Sequence, residues 1–176
     1  LEAVEHCLAS GLASVDAASS FQPSIAADPW ARVGSAIAAR QLGDATGART
    51  FLSDASFTGD VEIERRTELA AAALATGDAA GARTELQNLL STASTALRPL
   101  VMLSEIELTQ NRPEEAARLA QRAVDAHPDS VAAHVAAAEA AQAAFDLERA
   151  RRELDAAMAI DGSDLRALVD RARLKF

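Results

Sequence analysis

A ten-residue stretch that occurs twice decides how this chain folds. Residues 43–52 read Gly-Asp-Ala-Thr-Gly-Ala-Arg-Thr-Phe-Leu, and residues 77–86 read Gly-Asp-Ala-Ala-Gly-Ala-Arg-Thr-Glu-Leu. Eight of the ten positions are identical, and the two copies start 34 residues apart. Internal similarity at a fixed spacing of this size indicates a repeat architecture, in which one unit buries its apolar face only by stacking on the next.

Further steps of 34 residues connect small or apolar side chains along the rest of the chain. Four such columns are Ala36, Ala70, Ser104 and Ala138; Ala48, Ala82, Ala116 and Ala150; Leu52, Leu86, Ala120 and Leu154; and Ala55, Leu89, Ala123 and Ala157. Small residues in fixed phase let two helices approach closely. The larger side chains predicted to fill the gaps between them are Leu52, Leu69, Leu86, Leu89, Leu103, Phe145, Leu154 and Met158.

The composition favours helix over sheet. Hydrophobic residues make up 49% of the 176 residues, which is enough for one packed domain, but aromatic residues make up only 3% and tyrosine is absent. About a quarter of the chain is alanine, the strongest helix former, whereas strands favour branched and aromatic side chains. The composition therefore predicts an all-α fold.

Charge and cysteine content exclude several classes of function. The formal net charge is −9, which opposes contact with a phosphate backbone, so nucleic acid is not an expected partner. The single cysteine, Cys7, excludes an internal disulfide and any multi-cysteine metal site. No apolar run is long enough for a membrane span, and the acidic start without Met predicts a fragment of a longer protein. We expect a soluble domain, cytoplasmic or periplasmic.

The repeat resembles the tetratricopeptide repeat (TPR) family, a 34-residue helix–turn–helix unit with small residues at positions 8, 20 and 27 and Gly near position 15. Position 1 falls at Pro29, Ile63, Leu97, Val131 and Leu165. Position 15, where the first helix must stop, is Gly43, Gly77 and Asn111, with Phe145 as a departure. The predicted N-caps of the second helices are Asp44, Asp78 and Asp146, and Pro113 falls in a first helical turn.

The resemblance implies an all-α, right-handed α-solenoid of stacked antiparallel helix hairpins. Its expected units are four repeats at residues 29–62, 63–96, 97–130 and 131–164. Residues 1–28 are expected to form a degenerate N-terminal repeat or capping helices, and residues 165–176 the opening helix of a further unit. Leu168, Leu174 and Phe176 are then left uncovered at the C-terminal edge, which predicts self-association through the terminal repeats.

In solenoids of this family the first helices line a concave groove, chiefly through positions 2, 5, 9, 12 and 13. The resemblance places there Trp30, Val33, Ile37, Arg40, Gln41, Thr67, Arg98, Val101, Glu105, Leu108, Val135, Glu139, Gln142, Arg166, Val169 and Arg173. A groove lined by apolar side chains with scattered charges suits an extended or helical segment of a partner protein. Trp30 is either an anchor for that segment or a cover over the junction with residues 1–28. Reversing the charges of Glu105 and Glu139 is predicted to change partner affinity without changing helix content.

No catalytic or cofactor site is predicted. The histidines are His6, His127 and His134, and the segment from 134 to 139 lacks the second His of a zinc-binding helix. The glycines at 43, 47, 77 and 81 lack the Lys-Ser/Thr of a phosphate loop. The Lys, Asn and Arg residues with which one TPR subtype grips a chaperone tail are also missing at the corresponding positions.

The predicted function is therefore a non-catalytic scaffold that binds a partner protein or peptide in its groove, as in bacterial envelope assembly or export machines. The alternative is a regulatory or substrate-recruiting module of a larger multidomain enzyme. The identity of the partner is left open by the sequence.

Overall fold

The computed structural model describes residues 28–53 and 57–174, and the expected N-terminal cap at 1–28 lies outside them except for Asp28. This part of the chain forms nine α-helices and no strand. They are α1 Pro29–Gln41, α2 Ala45–Leu52, α3 Asp60–Ala75, α4 Ala79–Thr92, α5 Leu97–Thr109, α6 Pro113–Ala126, α7 Val131–Ala143, α8 Leu147–Ile160 and α9 Leu165–Arg173. The chain divides into two compact units, unit 1 ending at Ala75 and unit 2 beginning at Thr76.

Unit 1 is a three-helix packing of α1, α2 and α3, each in contact with the other two. Helix α1 begins cleanly because Asp28 accepts a hydrogen bond from the Trp30 amide and Pro29 occupies the first turn. The apolar core contains Val33, Ala36, Ala48, Leu52 and Ala72. Three of these five residues are alanine, so the helices pack closely over little apolar area.

Unit 2 continues the hairpin pattern from α4 to α9. Each helix packs against the next one in sequence, and α5, α7 and α9 also pack on one another in that order. A contact pattern restricted to near neighbours along the chain is the property of a solenoid. The fold is therefore an all-α helical repeat solenoid.

The turn between the two helices of a hairpin repeats with the predicted geometry. Residues at position 15 all have a positive φ: Gly43 (87°), Gly77 (85°), Asn111 (58°) and Phe145 (59°). In the first turn the Gly43 amide donates to the Arg40 carbonyl, and the Asp44 amide donates to the Ala39 carbonyl. This pair of bonds is the Schellman closure, which satisfies carbonyls left over at the end of a helix. The Asp44 side chain then accepts from the Gly47 amide at 2.7 Å.

Asp78 and Asp146 cap their helices in the same way, accepting from the amides of Gly81 and Arg149. All three predicted aspartate N-caps are confirmed. In the remaining hairpin Arg112 holds the N-cap position without a side-chain hydrogen bond, and Pro113 occupies the first turn as predicted.

Phe145 is not a core residue, contrary to prediction. Its side chain is 89% exposed. The residue lies at position 15, where the hairpin requires left-handed backbone, and the turn imposes that conformation on a bulky side chain. The backbone conformation that the turn requires therefore places the Phe145 side chain in solvent, although the side chain is apolar.

Phe145→Gly is accordingly expected to raise the free energy of unfolding by about 0.5–1.5 kcal/mol, because glycine adopts positive φ without steric cost while the exposed ring contributes no packing. Urea unfolding followed by circular dichroism measures the change. Ala144→Gly is the matched control: Ala144 has φ −85°, so glycine there should destabilise the fold. A loss of stability in Phe145→Gly would contradict the strain argument.

The recurring small residues lie at the helix contacts, as predicted. Ala36, Ala70, Ser104 and Ala138 at position 8 are buried, and so are Ala48, Ala82, Ala116 and Ala150 at position 20. Ser104 Oγ donates to the Ala116 carbonyl at 3.1 Å, which joins the two columns within one hairpin. Of the predicted larger core residues, Leu69 and Met158 are half-buried, and the remaining leucines are buried.

Candidate functional site

The first helices of unit 2 share one face that is bridged by a single arginine. Arg166 on α9 donates from Nε to Glu139 Oε1 and from Nη2 to Glu139 Oε2, both at 2.8 Å. The same Nη2 also donates to Glu105 Oε1 on α5 at 2.8 Å. These contacts bring together three of the predicted groove residues from three helices. We call the surface of α5, α7 and α9 around Arg166 the first-helix face.

The electrostatics of this face follow from partial burial of its charges. Burial raises the pKa of the Glu139 carboxyl above its ordinary value, and the negative charges of Asp170 and Glu105 raise it further. The charge and hydrogen bonds of Arg166 act in the opposite direction but do not outweigh these effects. For Arg166, burial lowers the guanidinium pKa, but its bond to Glu105 and the charge of Glu139 outweigh burial, and the net shift is upward.

Charge reversal at Glu105 and Glu139 is therefore a poor test of binding alone. Both carboxylates hold Arg166, and the three side chains connect α5, α7 and α9. Replacing both glutamates with arginine, as Glu105→Arg and Glu139→Arg, would place three arginine side chains together. The expectation that helix content stays unchanged in that variant is therefore not supported by the structure.

The apolar members of the first-helix face differ in exposure. Val169 on α9 is 41% exposed. Val101 and Leu108 are half-buried and pack against the alanine cluster of α6 and α7. Val135, predicted to contact a partner, is instead buried in the core with Leu154, because its side of α7 packs on the neighbouring hairpin. Val135 is therefore removed from the set of partner-contacting residues.

Two further predicted groove residues, in unit 1, are corrected in the same way. Val33 belongs to the core of unit 1, and Thr67 is buried with its hydroxyl donating to the Ile63 carbonyl within α3. A third, Arg40, forms an ion pair with the buried Glu68. Val33 and Thr67 are enclosed by the unit, whereas the Arg40 side chain is 25% exposed and is held by its ion pair with Glu68.

The other predicted groove residues of unit 1 are accessible to different degrees. Trp30 is 53% exposed, and Gln41 is also exposed. Ile37 is partly buried and packs on the core of unit 1. In unit 2, Arg98 and Gln142 are half-buried, whereas the Arg173 side chain is 72% exposed.

Sequence reasoning missed a set of buried acids that pair with basic side chains. Glu107 has no exposed surface and lies between Arg83 Nε and Arg112 Nε, each 2.7 Å from a carboxylate oxygen. His134 is also buried, with Nδ1 2.8 Å from Glu153 Oε2 and Nε2 3.0 Å from the Pro128 carbonyl. Both ring nitrogens of His134 are thus engaged in packing α7 against α8 and its own N-terminal turn.

Within residues 28–53 and 57–174, no group of three or more His, Cys, Asp or Glu side chains is placed to hold a metal ion. Among the same residues, no helix has the length and apolar character needed to cross a membrane. His127 Nε2 lies 2.7 Å from the Thr95 carbonyl, and His6 and Cys7 lie outside the described residues.

Stacked hairpins with a 34-residue period, closed by the turn described above, define a TPR-type helical repeat. A model of the family described as "Tetratricopeptide repeat" matches residues 97–140. The resemblance to the TPR family is thereby confirmed. No curated protein matches the chain in sequence.

Solved structures support the fold assignment. TTC0263, a thermophilic TPR protein of Thermus thermophilus, is 18% identical with a TM-score of 0.72, over 84% of this chain and 81% of that one. MamA from Desulfovibrio magneticus RS-1 is 14% identical with a TM-score of 0.65, over 84% and 83% of the two chains. The second TPR domain of human RPAP3, solved with an HSP70 peptide, is 12% identical with a TM-score of 0.59, over 63% and 92%.

Proposed function

We propose that this chain is a non-catalytic scaffold that holds a segment of a partner protein on the first-helix face of unit 2. The observation that carries the proposal is the combination of exposed and apolar Val169 with the charged side chains of Arg166 and Arg173 on the same side of α9. Apolar contacts supply affinity at such a face, and charges fix the register of the bound segment.

A solved structure with the same fold gives a second line of support for peptide binding. The RPAP3 domain that shares this fold is solved in complex with a peptide. That peptide derives from HSP70, whereas this sequence lacks the basic clamp with which one TPR subtype grips chaperone tails. We therefore propose a partner of different chemistry on a related surface.

The proposal extends to the cellular setting. TPR scaffolds are common in bacterial envelope assembly and export machines, and the alanine- and arginine-rich composition with a single lysine suits a bacterial protein of that kind. A periplasmic or cytoplasmic location is compatible with this role.

Self-association through the C-terminal edge is a further part of the proposal. Leu168 on α9 is 39% exposed there, whereas Leu174 is partly buried against the cluster of α7, α8 and α9, and Phe176 lies outside the described residues. The edge is therefore less open than the sequence predicts. Sedimentation at several concentrations tests self-association, and a monomer at all of them would contradict it.

The scaffold function is tested by comparing two surface substitutions of matched exposure. Val169→Glu places a charge on the first-helix face, and Ile160→Glu places the same charge on α8, where Ile160 is 43% exposed. Each variant and the unmodified chain are used for affinity capture from the source cell, followed by quantitative mass spectrometry. We expect a partner that is retained by the unmodified chain and by Ile160→Glu but is reduced about tenfold or more with Val169→Glu.

Circular dichroism of both variants shows whether the fold is intact, so that a loss of capture can be assigned to the surface. If Val169→Glu captures the same proteins at the same level as the unmodified chain, the first-helix face is not the binding site. Loss of the same partner with Ile160→Glu would also contradict the proposal, because it would assign binding to the second helices.

A further inference from the structure

Two pairs of residues occupy equivalent places in the repeat but differ in charge. In unit 1, Arg40 on α1 forms an ion pair with the buried Glu68 on α3. Three steps of 34 residues later, in unit 2, the corresponding positions are Gln142 on α7 and Asp170 on α9. The carboxylate is retained in the second pair, but the guanidinium is replaced by a neutral amide.

The second pair leaves polar atoms unsatisfied. Asp170 is 5% exposed, and its Oδ2 is buried without a hydrogen-bond partner among the residues that the structure describes. Within the same residues, Gln142 Nε2 is likewise buried without a partner. The other Asp170 oxygen, Oδ1, accepts a long bond of 3.2 Å from the Arg173 side chain, which is largely exposed. A buried carboxylate oxygen without a partner carries a desolvation penalty that a cationic donor would remove.

The surrounding charges leave room for one more cation. Glu105, Glu139 and Asp170 are carboxylates, and Arg166 is shared between the first two. The pKa of the Glu139 carboxyl is raised by burial, and Asp170 and Glu105 add to the increase in spite of Arg166. Arg173 contacts Asp170 through Oδ1 alone, so Oδ2 is the oxygen of this carboxylate that has no donor among the described residues.

We propose that the buried Oδ2 of Asp170, at the repeat position equivalent to Glu68, binds the guanidinium group of an arginine in the partner segment. The guanidinium occupies the place that Arg40 fills beside Glu68, donates to Asp170 Oδ2 and enters from the first-helix face as the exposed Arg173 side chain moves aside. Arginine suits the site better than lysine because its planar donor set pairs two oxygens at once, as Arg166 does with Glu139. This inference rests on the proposed scaffold function and specifies the chemistry of its ligand.

The binding chemistry is tested with small probes in place of the unidentified partner. N-acetyl-arginine amide and N-acetyl-citrulline amide, which has a similar shape but no charge, are titrated into the isotope-labelled full chain and followed by nuclear magnetic resonance. We expect the arginine probe to shift the Gln142 side-chain amide and the Asp170 backbone amide in a saturable way. The citrulline probe should bind about tenfold or more weakly, because it lacks the charge-assisted hydrogen bonds. Equal responses to the two probes, or no response, would overturn the proposal.

Three variants assign the response to the site. Asp170→Asn removes the acceptor charge and should abolish the arginine response. Gln142→Arg supplies the missing guanidinium from within the chain, so it should also abolish the response while raising the melting temperature. Asp155→Asn is the matched control. Asp155 on α8 also pairs with an arginine, Arg171 on α9, but its side chain is exposed. This variant should bind the arginine probe as the unmodified chain does. A retained arginine response in Gln142→Arg overturns the proposal even if Asp170→Asn does not fold.

The failure of this inference is distinguishable from failure of the scaffold function. If Val169→Glu abolishes partner capture but no arginine response is seen, the scaffold function stands and the guanidinium site is wrong. If the arginine response follows the variants as described but capture does not depend on Val169, the guanidinium site stands and the proposed scaffold face is wrong.

Discussion

Replacing both Arg83 and Arg112 with methionine is expected to lower the free energy of unfolding by about 3–5 kcal/mol. Glu107 is completely buried, and these two arginines lie 2.7 Å from its two oxygens. Methionine keeps most of the apolar length of each side chain but removes the positive charge. The double variant therefore leaves a carboxylate in the interior without a counter-charge, which is among the most destabilising single features in a protein.

The matched experiment adds Glu107→Leu to the double variant. A leucine of similar volume removes the uncompensated charge, and buried ion pairs replaced by apolar groups are often neutral or stabilising. We expect the triple variant to recover most of the lost stability in urea unfolding followed by circular dichroism. A loss below about 1 kcal/mol in the double variant, or no recovery in the triple variant, would show that the carboxylate is not held by these two arginines.

The sequence predicted the hairpin turns because their requirements are local. A helix that ends in left-handed backbone favours Gly or Asn at that position, and a helix start favours Asp as its N-cap. The adjacent Gly43 and Asp44 therefore predict both the end of one helix and the start of the next. The same logic failed at Phe145, where an aromatic residue was read as core. The repeat fixes the backbone at that position through Asp146 and the packing of α7 on α8, and the side chain follows the backbone into solvent.

The buried ion pairs could not be predicted from local patterns. The partners of Glu107 are separated from it along the chain, since Arg83 is 24 residues before it and Arg112 is five residues after it. The 28-residue separation of Arg40 and Glu68 becomes meaningful only after α1 and α3 are known to pack together. A search for opposite charges on consecutive first helices would have found Arg40 with Glu68, whereas the equivalent Gln142 is neutral and would not have been paired with Asp170.

The candidate binding face was predicted in part. The positions that line the groove in related folds include Glu105, Glu139 and Arg166, and these three side chains are in contact in the structure. The same positions also include Val33 and Val135, which are buried. A list of repeat positions contains no information about which side chains the neighbouring helices cover. Burial depends on the size of the surrounding residues, and alanine-rich helices approach closely enough to enclose a valine that would be open between larger neighbours.

That close approach leads to the last prediction, Leu154→Ala, which is expected to lower the free energy of unfolding by about 2–5 kcal/mol. Leu154 on α8 has no exposed surface and packs in a cluster with Val135, Ala138, Ala157 and Ala167 from α7, α8 and α9. Three of the four other buried residues in this cluster are alanine, and the larger Val131, Met158 and Leu174 pack against the cluster while only partly buried. Short side chains on packed helices cannot extend into the space that the leucine vacates, so the cavity should persist and the cost should lie in the upper half of this range.

Leu147→Ala is the matched control, because Leu147 begins the same helix but is 54% exposed and should change stability by less than about 0.5 kcal/mol. Equal losses in the two variants, measured by urea unfolding, would mean that α8 is held by helix propensity and not by its alanine-lined contact with α7 and α9.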